Sequence, residues 1–310
     1  MKLLKLKKNQ FFYLLVLSFV FVSTTAMSIS GLLPKSIKKI FKNEKQTKTF
    51  VPIPILSGTQ VYPTLSAQAV LAVDLDSGIS LYEKNPDNQL LPASTTKIVT
   101  ALVSLDAYPL DSVIKVGSVR VEGQKMGLFM GEEMKVEDLL YGLLVYSAND
   151  AAEVLAQNYP GGRPAFINAM NAKAKELSMT NSNFLNPAGL DGNTTTARDL
   201  IRVSEVAMRD PEFAKIVSTK QIIVKDVTGK KIHRLTNINE LLGVIPGVIG
   251  VKTGWTENAR ENLVTYVERD NKKVVMVVLG SQDRFGETKE LIDWIFENYE
   301  WQEVKVTYSP

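Results

Sequence analysis

Strand-like segments lie at both ends of the body of this chain, and helical segments lie between them. Near the beginning, the alternating segments Ala69–Asp74 and 79–83 flank a polar turn at 76–78, which predicts a β-hairpin. Near the end, the segments 262–268 and 273–279 flank a second turn. This order predicts a mixed α/β unit whose sheet is completed by the C-terminal hairpin.

The helical segments carry apolar residues at helical spacing. In the segment that follows Pro92, the side chains of Ile98, Val99 and Leu102 share one face. Helices are predicted over 94–105, 136–144, 151–157, 163–177, 196–208 and 287–299, and further strands over 221–224 and 251–253.

The first 48 residues differ in composition from the rest of the chain. They hold ten lysines and one acidic residue, whereas the remaining residues include 26 basic and 32 acidic ones. A basic arm on a mildly acidic body does not indicate a nucleic-acid-binding protein. The chain has no cysteine, which excludes a disulfide framework, thiolate metal sites and cysteine catalysis.

Residues 1–34 have the pattern of an export signal or an N-terminal membrane anchor. Four lysines precede an apolar run over 11–22, small residues at 23–26 offer a cleavage site, and no charge occurs over 9–34. Both interpretations place the rest of the chain outside the cytoplasm, and they leave cleavage open.

Three further segments complete the predicted domain organisation. Residues 35–63 contain scattered Lys and Pro without a sustained period and are predicted to be a linker. A compact domain is predicted over 64–301, followed by a tail over 302–310.

Three short motifs follow one another along this domain: Ser94-x-x-Lys97, Ser147-x-Asn149 and Lys252-Thr253-Gly254. Ser-x-x-Lys occurs three times in the chain, but only the copy at Ser94 follows a strand-like region and opens an apolar helix. There Ser94 would lie in the first turn, where the helix dipole stabilises negative charge, and Lys97 would share its face. A buried lysine with a lowered pKa can act as general base for such a serine, whereas a helix cap beside a solvated lysine is the alternative.

The motif Ser147-x-Asn149 falls between two helical segments, where an ordinary helix cap is the alternative interpretation. As part of a catalytic site, Ser147 would relay a proton between Lys97 and a leaving amine. Asn149 would hydrogen-bond a backbone amide of the substrate.

The motif Lys252-Thr253-Gly254 lies on a predicted strand, whose edge can pair with a peptide substrate. Lys252 would supply positive charge near a substrate carboxylate, and Thr253 would supply a hydroxyl. Gly254 would leave room for the substrate backbone, and the amides of Ser94 and Trp255 would form an oxyanion hole.

Other kinds of catalytic site find little support in the sequence. His233 is the only histidine, and its polar surroundings indicate a surface or structural role rather than a Ser-His-Asp triad. No group of His, Cys or carboxylate residues has zinc spacing, and no glycine-rich loop joins a strand to a helix for nucleotide binding. We therefore expect neither a metal nor an organic cofactor.

The three motifs in this order are typical of active-site serine enzymes that react with penicillin. The chain resembles the low-molecular-mass penicillin-binding proteins of the serine D-Ala-D-Ala carboxypeptidase type, a peptidase S11-like family. The resemblance covers roughly residues 66–300. Further segments similar to family landmarks are 91–94, 126–128, 136–144, 147–152, 186–190, 196–200, 250–256 and 283–285.

The resemblance implies a transpeptidase-like fold, shared by penicillin-binding proteins and β-lactamases. Such a fold has an antiparallel five-stranded sheet flanked by helices, an all-helical subdomain, and an active site between them. It implies that Ser94 forms an acyl-enzyme with peptidoglycan stem peptides, releasing the terminal D-Ala, and that β-lactams acylate the same serine. Arg284 matches an arginine that binds the substrate carboxylate; the alternative is a surface pair with Asp283.

Three other functions stay open: a D,D-endopeptidase of cross-links using the same residues, a β-lactamase, and a non-catalytic wall-binding module. Residues 177–190 hold no carboxylate, unlike the deacylating loop of class A β-lactamases.

Some relatives continue into a β-domain and a C-terminal amphipathic helix. Because this chain ends at Pro310, attachment through an uncleaved N-terminus is favoured. The bulky Trp255 after the Lys-Thr-Gly motif is expected to affect substrate preference.

Overall fold

The computed structural model of the chain describes residues 46–308, except 59–60 and 191. The predicted export segment, 1–34, lies outside the described residues. The described residues fall into two compact units, one of residues 46–50 with 304–308 and one within 51–303. In the described part of the first unit, Gln46–Thr49 pairs antiparallel with Lys305–Tyr308.

Strands dominate both ends of the described chain, and helices dominate its middle. The strands are β1 (Gln46–Thr49), β2 (Ile53–Leu56), β3 (Ala69–Asp74), β4 (Ser80–Lys84), β5 (Val113–Lys115), β6 (Glu133–Lys135), β7 (Gln221–Lys225), β8 (Ile232–Thr236), β9 (Val248–Thr256), β10 (Arg260–Arg269), β11 (Lys272–Ser281), β12 (Tyr299–Gln302) and β13 (Lys305–Tyr308). The helices are α1 (Lys97–Ala107), α2 (Val136–Leu144), α3 (Asn149–Gln157), α4 (Gly162–Glu176), α5 (Ala197–Arg209), α6 (Pro211–Val217) and α7 (Arg284–Asn298), and Ala93–Thr96 forms a 3₁₀ turn.

Five strands form the central sheet in the order β4-β3-β11-β10-β9, and every pair of neighbours is antiparallel. The residues of β11 alternate between two cores, with Val275 and Val277 in one and Val274 and Met276 in the other. Because successive side chains of a strand point to opposite faces, a strand this apolar needs cover on both faces. The predicted mixed α/β class with an antiparallel sheet is confirmed.

Helices cover both faces of this sheet. On one face α7 packs through Leu291, Ile292 and Ile295. On the other face lies the larger core, to which α1 to α6 contribute, with Ile98 and Phe166 among the residues completely removed from solvent. The 3₁₀ turn that precedes α1 packs against β9, the edge strand. The beginning of α1 therefore lies between the helices and the sheet.

Helix α1 begins at Lys97 rather than at Ser94. The residues before it form the tighter 3₁₀ turn, which the chain enters through Ala93 with a φ of 46°. This left-handed residue cannot continue a regular helix, so Ser94 lies on a turn that leads into α1. Helix α3 begins at Asn149, two residues earlier than predicted.

The linker and tail predictions need correction within the described residues. Ile53–Leu56 pairs with Tyr299–Gln302, and the larger compact unit begins at Val51, inside the predicted linker over 35–63. In this two-stranded pairing Pro54 is tolerated because each strand has a partner on one side only. A four-residue strand is too short to show a period, so the sequence pattern did not indicate it. The predicted tail likewise includes Gln302 of β12 and the whole of β13.

Candidate active site

Close backbone packing holds the turn that carries Ser94. The chain enters this turn through Ala93 in the left-handed region, and the Thr95 hydroxyl donates to Pro92 O at 2.7 Å. Gly254 of β9 lies directly against the turn, because a Cβ atom there would be 3.0 Å from both Pro92 O and Ser94 N. The serine is thereby fixed beside the edge strand of the central sheet.

The side chain of Lys97 is completely buried and has three polar partners. Its Nζ lies 2.8 Å from Ser94 Oγ, 2.7 Å from Asn149 Oδ1 and 2.6 Å from Ala188 O. Amide and carbonyl oxygens can only accept hydrogen bonds, whereas a hydroxyl can donate or accept. A neutral amine has two N–H groups and one lone pair. With the N–H groups given to Asn149 and Ala188, the lone pair faces the Ser94 hydroxyl.

Burial also changes the proton affinity of this amine. The pKa of Lys97 is lowered to about 7, chiefly because the ammonium form loses its hydration, and the carboxylate of Asp150 partly opposes the shift. A lysine with this pKa is largely neutral in mildly alkaline solution. Geometry and pKa therefore both suit Lys97 to remove the proton of Ser94.

A second pair joins the helical region to β9. Ser147, which has a φ of 62° and lies between α2 and α3, accepts a hydrogen bond from Lys252 Nζ at 2.9 Å. Lys252 is buried and also donates to Thr253 O at 2.9 Å. Burial lowers the pKa of Lys252 well below its usual value, and the charges of Lys97 and Arg284 lower this pKa further. An anion that entered here would offset the repulsion among the three basic groups.

Both halves of the Asn149 side-chain amide have protein partners. Its Oδ1 accepts from Lys97, its Nδ2 donates to Glu122 O at 2.7 Å, and its backbone N–H donates to Gln124 O at 2.7 Å. Asn149 thus directs the Lys97 amine; because an amide NH₂ has two N–H groups, the predicted contact with the substrate stays a prediction.

The lack of a side chain at Gly254 serves the packing of the protein itself. A Cβ atom on Gly254 would lie 3.0 Å from Pro92 O and Ser94 N and 3.2 Å from Ala93 Cβ, which is a tight contact. The glycine thus permits close packing on the turn that carries Ser94, and its predicted role, room for a substrate backbone, stays a prediction. Of its neighbours in β9, Thr253 is buried and Trp255 is 62% exposed.

Arg284 is the first residue of α7 and reaches β9. Its Nη1 donates to Gly254 O at 3.1 Å, and its Nε is buried without a hydrogen-bond partner among the described residues. Burial lowers the pKa of Arg284, and the carboxylate of Glu261 opposes this shift. Asp283 does not take part: it caps α7 by accepting from Gly286 N. The alternative of an Arg284–Asp283 surface pair is thus replaced by a contact with β9.

Comparison with known proteins agrees with this geometry. A sequence model of the peptidase S11 family, described as D-alanyl-D-alanine carboxypeptidase, matches residues 57–283. The chain belongs to this family. The match includes all three motifs and ends at Asp283, directly before Arg284.

Two relatives show how far the likeness extends. The D-alanyl-D-alanine carboxypeptidase DacF of Bacillus subtilis is 32% identical over 246 residues, which cover 76% of this chain and 63% of the relative. The D-alanyl-D-alanine carboxypeptidase DacB2 of Mycobacterium tuberculosis is 34% identical over 252 residues, which cover 77% of this chain and 86% of the relative. The chain thus spans less than two thirds of the Bacillus relative and most of the mycobacterial one.

Solved structures of the family share the fold. The D-alanyl-D-alanine carboxypeptidase of Mycobacterium tuberculosis H37Rv matches with a TM-score of 0.73 at 33% identity, covering 78% of this chain and 95% of that one. The Streptomyces K15 DD-transpeptidase matches with a TM-score of 0.71 at 31% identity, and the match covers 76% of this chain and 99% of that one. The predicted penicillin-binding-protein fold is therefore confirmed.

Sequence reasoning missed the contribution of Ala188 to this family site. Its carbonyl oxygen binds Lys97, and its loop is held by Asn186 Oδ1, which accepts from Gly189 N and Leu190 N at 2.8 and 3.0 Å. The segment 186–190 resembles a family landmark, but a backbone oxygen is present in every residue. No residue type could therefore have identified this contact.

A second missed residue is Asp150, at the beginning of α3. Its carboxylate accepts hydrogen bonds from the backbone N–H groups of Met126, Gly127 and Leu128 at 2.9 to 3.0 Å. The sequence signal was present, because an acidic residue in the first turn of a helix is favoured by the dipole. Asp150 thereby ties the loop before β6 to the beginning of α3, next to Asn149.

His233 has a structural role, and the surface alternative is wrong. Its ring is buried on β8, with Nε2 at 2.6 Å from Glu132 Oε1 and Nδ1 at 3.1 Å from Met126 O. Both ring nitrogens are occupied by these partners, neither of which belongs to the Ser94 site.

Proposed function

We propose that this chain is a serine D-Ala-D-Ala carboxypeptidase that removes the terminal D-Ala from peptidoglycan stem peptides. The observation that carries the proposal is the Ser94–Lys97 pair, in which a hydroxyl lies 2.8 Å from a buried amine whose other partners only accept hydrogen bonds. Membership of the peptidase S11 family supplies the substrate class.

Acylation begins when neutral Lys97 takes the proton of Ser94 as Oγ attacks the carbonyl carbon of the penultimate D-Ala. The C–N bond to the terminal D-Ala then breaks and leaves an ester on Ser94. The departing amine receives a proton through Ser147, whose hydroxyl is oriented by Lys252. Water then hydrolyses the ester, with Lys97 as the base again.

The developing oxyanion needs two donors, and we assign them to the backbone N–H groups of Ser94 and Trp255. The close contact of Gly254 with Ser94 N supports this assignment, because it brings the end of β9 beside the nucleophile's own amide. Loss of one oxyanion donor typically costs about 10²- to 10³-fold in kcat.

The free carboxylate of the terminal D-Ala would lie against Arg284, Lys252 and Thr253. Arg284 supports this assignment because its Nε is buried and has no hydrogen-bond partner among the described residues. A charged hydrogen bond to a carboxylate would remove the cost of that unpaired donor. A carboxypeptidase must recognise this group, whereas an endopeptidase need not.

A D,D-endopeptidase of peptidoglycan cross-links is the second candidate. Proteins of Pseudomonas aeruginosa and Escherichia coli named D-alanyl-D-alanine endopeptidase are each 34% identical to this chain. The other two alternatives have less support. A class A β-lactamase deacylates with a loop glutamate, whereas 177–190 holds no carboxylate, and a binding module would not need the Ser94–Lys97 pair.

Release of D-Ala from a diacetyl-Lys-D-Ala-D-Ala peptide, compared with cleavage of a purified cross-linked muropeptide dimer, tests the proposal. We expect D-Ala release to be the faster reaction and to be lost in Ser94→Ala. Preferential cleavage of the dimer would favour the endopeptidase, and persistence of D-Ala release in Ser94→Ala would overturn the assignment of the nucleophile.

We also propose that the chain works outside the cytoplasm, attached to the membrane by residues 1–34. Support comes from the lysines that precede an uncharged stretch over 9–34. Within the described part of the chain, no helix has both the length and the hydrophobicity to cross a bilayer. An intact mass of the native protein that starts at Met1 is expected, and a start near Met27 would show cleavage instead.

A further inference from the structure

A cavity of 760 Å³ lies next to the proposed active site. Its volume is in the range of ligand-binding clefts, and many of its lining residues are charged. Arg120, Glu122 and Lys125 come from the loop before β6, and Glu153 and Arg163 come from the helices α3 and α4. Asn186 belongs to the loop that carries Ala188.

Two walls of this cavity lead directly to Lys97. On one wall, Glu122 O accepts from Asn149 Nδ2, and Asn149 Oδ1 accepts from Lys97 Nζ. On the other wall, Asn186 holds the loop whose Ala188 carbonyl also accepts from Lys97 Nζ. Asn149 on one wall and Ala188 on the other therefore connect the lining of the cavity to Lys97, the proposed base.

The cavity and the proposed carboxylate site lie at different ends of one chain of contacts. Arg284 donates to Gly254 O, Gly254 packs against Ser94 N, and Ser94 Oγ contacts Lys97. Lys97 then contacts the cavity walls. On this path Ser94 and Lys97 lie between the proposed carboxylate site and the cavity.

Some of the charged side chains that line the cavity form ion pairs, and others do not. Arg163 and Glu153 form a two-pronged ion pair, with distances of 2.8 and 3.2 Å. Arg120, Lys125 and Glu122 are exposed, and none of them forms an ion pair with another described residue. Two unpaired cations and one unpaired carboxylate leave the cavity with a net attraction for anions.

We infer that this cavity binds the acyl-donor arm of the substrate and that Arg120 and Lys125 select a carboxylate on the side chain that precedes the D-Ala-D-Ala unit. This inference rests on the proposed carboxypeptidase function and adds a specificity site to it. The loop that carries both cations is held in place by Asn149, through Glu122 and Gln124, so the site is formed before the substrate arrives.

Three peptides that differ only in one side-chain group test the inference. They are acetyl-Lys-D-Ala-D-Ala with the lysine Nε succinylated, acetylated or free, which makes the side chain anionic, neutral or cationic. We expect kcat/KM for D-Ala release to fall in that order, by roughly three- to tenfold in total, as is usual for exposed charge pairs. The spread should shrink between about 50 mM and 0.5 M salt, because exposed charges are screened.

The double variant R120E/K125E should reverse the order of the three peptides. Lys175→Glu is the matched control, because Lys175 is an exposed cation on α4 about 18 Å along the helix from Arg163. We expect Lys175→Glu to keep the parent's order of kcat/KM for the three peptides.

Equal rates for the three peptides in the parent, or an equal loss on all three in the double variant, would overturn the inference. Failure of the proposed function has a different signature, because then none of the peptides would release D-Ala.

Discussion

Gly189 lies against the carbonyl group of Ala93, and a Cβ atom on Gly189 would overlap that carbonyl oxygen. Gly189 also has a φ of 84°, which disfavours any other residue. The loop that supplies Ala188 O to Lys97 is thus packed directly against the turn that presents Ser94. A glycine outside all three motifs sets the position of the nucleophile.

Gly189→Ala is therefore predicted to impair both stability and acylation. The backbone conformation alone costs about 1–2 kcal/mol, and the overlap with Ala93 adds to this cost by shifting the turn. We expect the free energy of unfolding in urea to fall by about 3 kcal/mol or more, and the rate of penicillin acylation to fall at least about tenfold.

Gly78→Ala provides the matched control. Gly78 has a similar φ of 73°, but a Cβ atom there would meet nothing within 4 Å. Gly78→Ala should lower the free energy of unfolding only by the cost of its backbone conformation, and it should keep the parental rate of acylation. Equal effects of the two substitutions would contradict the proposed packing of Gly189 on the nucleophile turn.

The acylation rate is predicted to depend on pH through Lys97. Its pKa of about 7 means that the amine is protonated, and unable to accept the Ser94 proton, in more acidic solution. The rate of labelling by fluorescent penicillin should therefore rise between about pH 6 and pH 8 with a midpoint near 7. A flat profile over this range would contradict the role of Lys97.

Lys97→Arg should nearly abolish labelling, with a loss of about 10²- to 10⁴-fold, because a guanidinium stays protonated. Lys115→Arg serves as the control, since Lys115 belongs to another Ser-x-x-Lys sequence and is exposed. It should keep the parental rate and the parental pH profile.

Arg284→Ala is predicted to affect substrates with a free C-terminal carboxylate selectively. A lost charged hydrogen bond of about 1.5–3 kcal/mol corresponds to a decrease in kcat/KM of roughly tenfold or more. Amidated peptides should be poor substrates of the parent and should respond little to the substitution. Lys289→Ala, an exposed position on the same helix, is the control. An equal loss on both kinds of peptide would make Arg284 a structural residue.

The penicilloyl-enzyme is predicted to be long-lived. Residues 177–190 contain no carboxylate, and within the described residues no carboxylate hydrogen-bonds Ser94 or Lys97. The penicilloyl ester on Ser94 therefore lacks the glutamate that activates water in class A β-lactamases. Incubation with a chromogenic β-lactam should give a burst of about one equivalent and little further hydrolysis. Rapid multiple turnover would favour the β-lactamase alternative.

The sequence predicted best what depends on local spacing. Ser94 and Lys97 are three residues apart, and in the 3₁₀ turn that leads into α1 this spacing still places them on one side. The strand-like segments of β10 and β11, which flank a polar turn, likewise identified the C-terminal hairpin. In contrast, the contact between Ser147 and Lys252 joins residues 105 positions apart, and it was suggested by the ordered set of motifs rather than by local spacing.

Long-range packing accounts for what the sequence could not predict. Strand β2 is defined by its partner β12 rather than by its own four residues. Gly254 packs closely on Pro92 and Ser94, which are distant in the sequence, so local spacing does not reveal this contact. Ala188 acts through a backbone oxygen, which residue type does not reveal.

The site of covalent modification by benzylpenicillin tests the central claim most directly. Intact-mass measurement followed by peptide mapping should show one penicilloyl group, located on Ser94, and none in Ser94→Ala. Ser112→Ala, in a second Ser-x-x-Lys sequence, should be modified like the parent. An adduct on any other residue, or a stable adduct in Ser94→Ala, would contradict the assignment of Ser94 as the nucleophile.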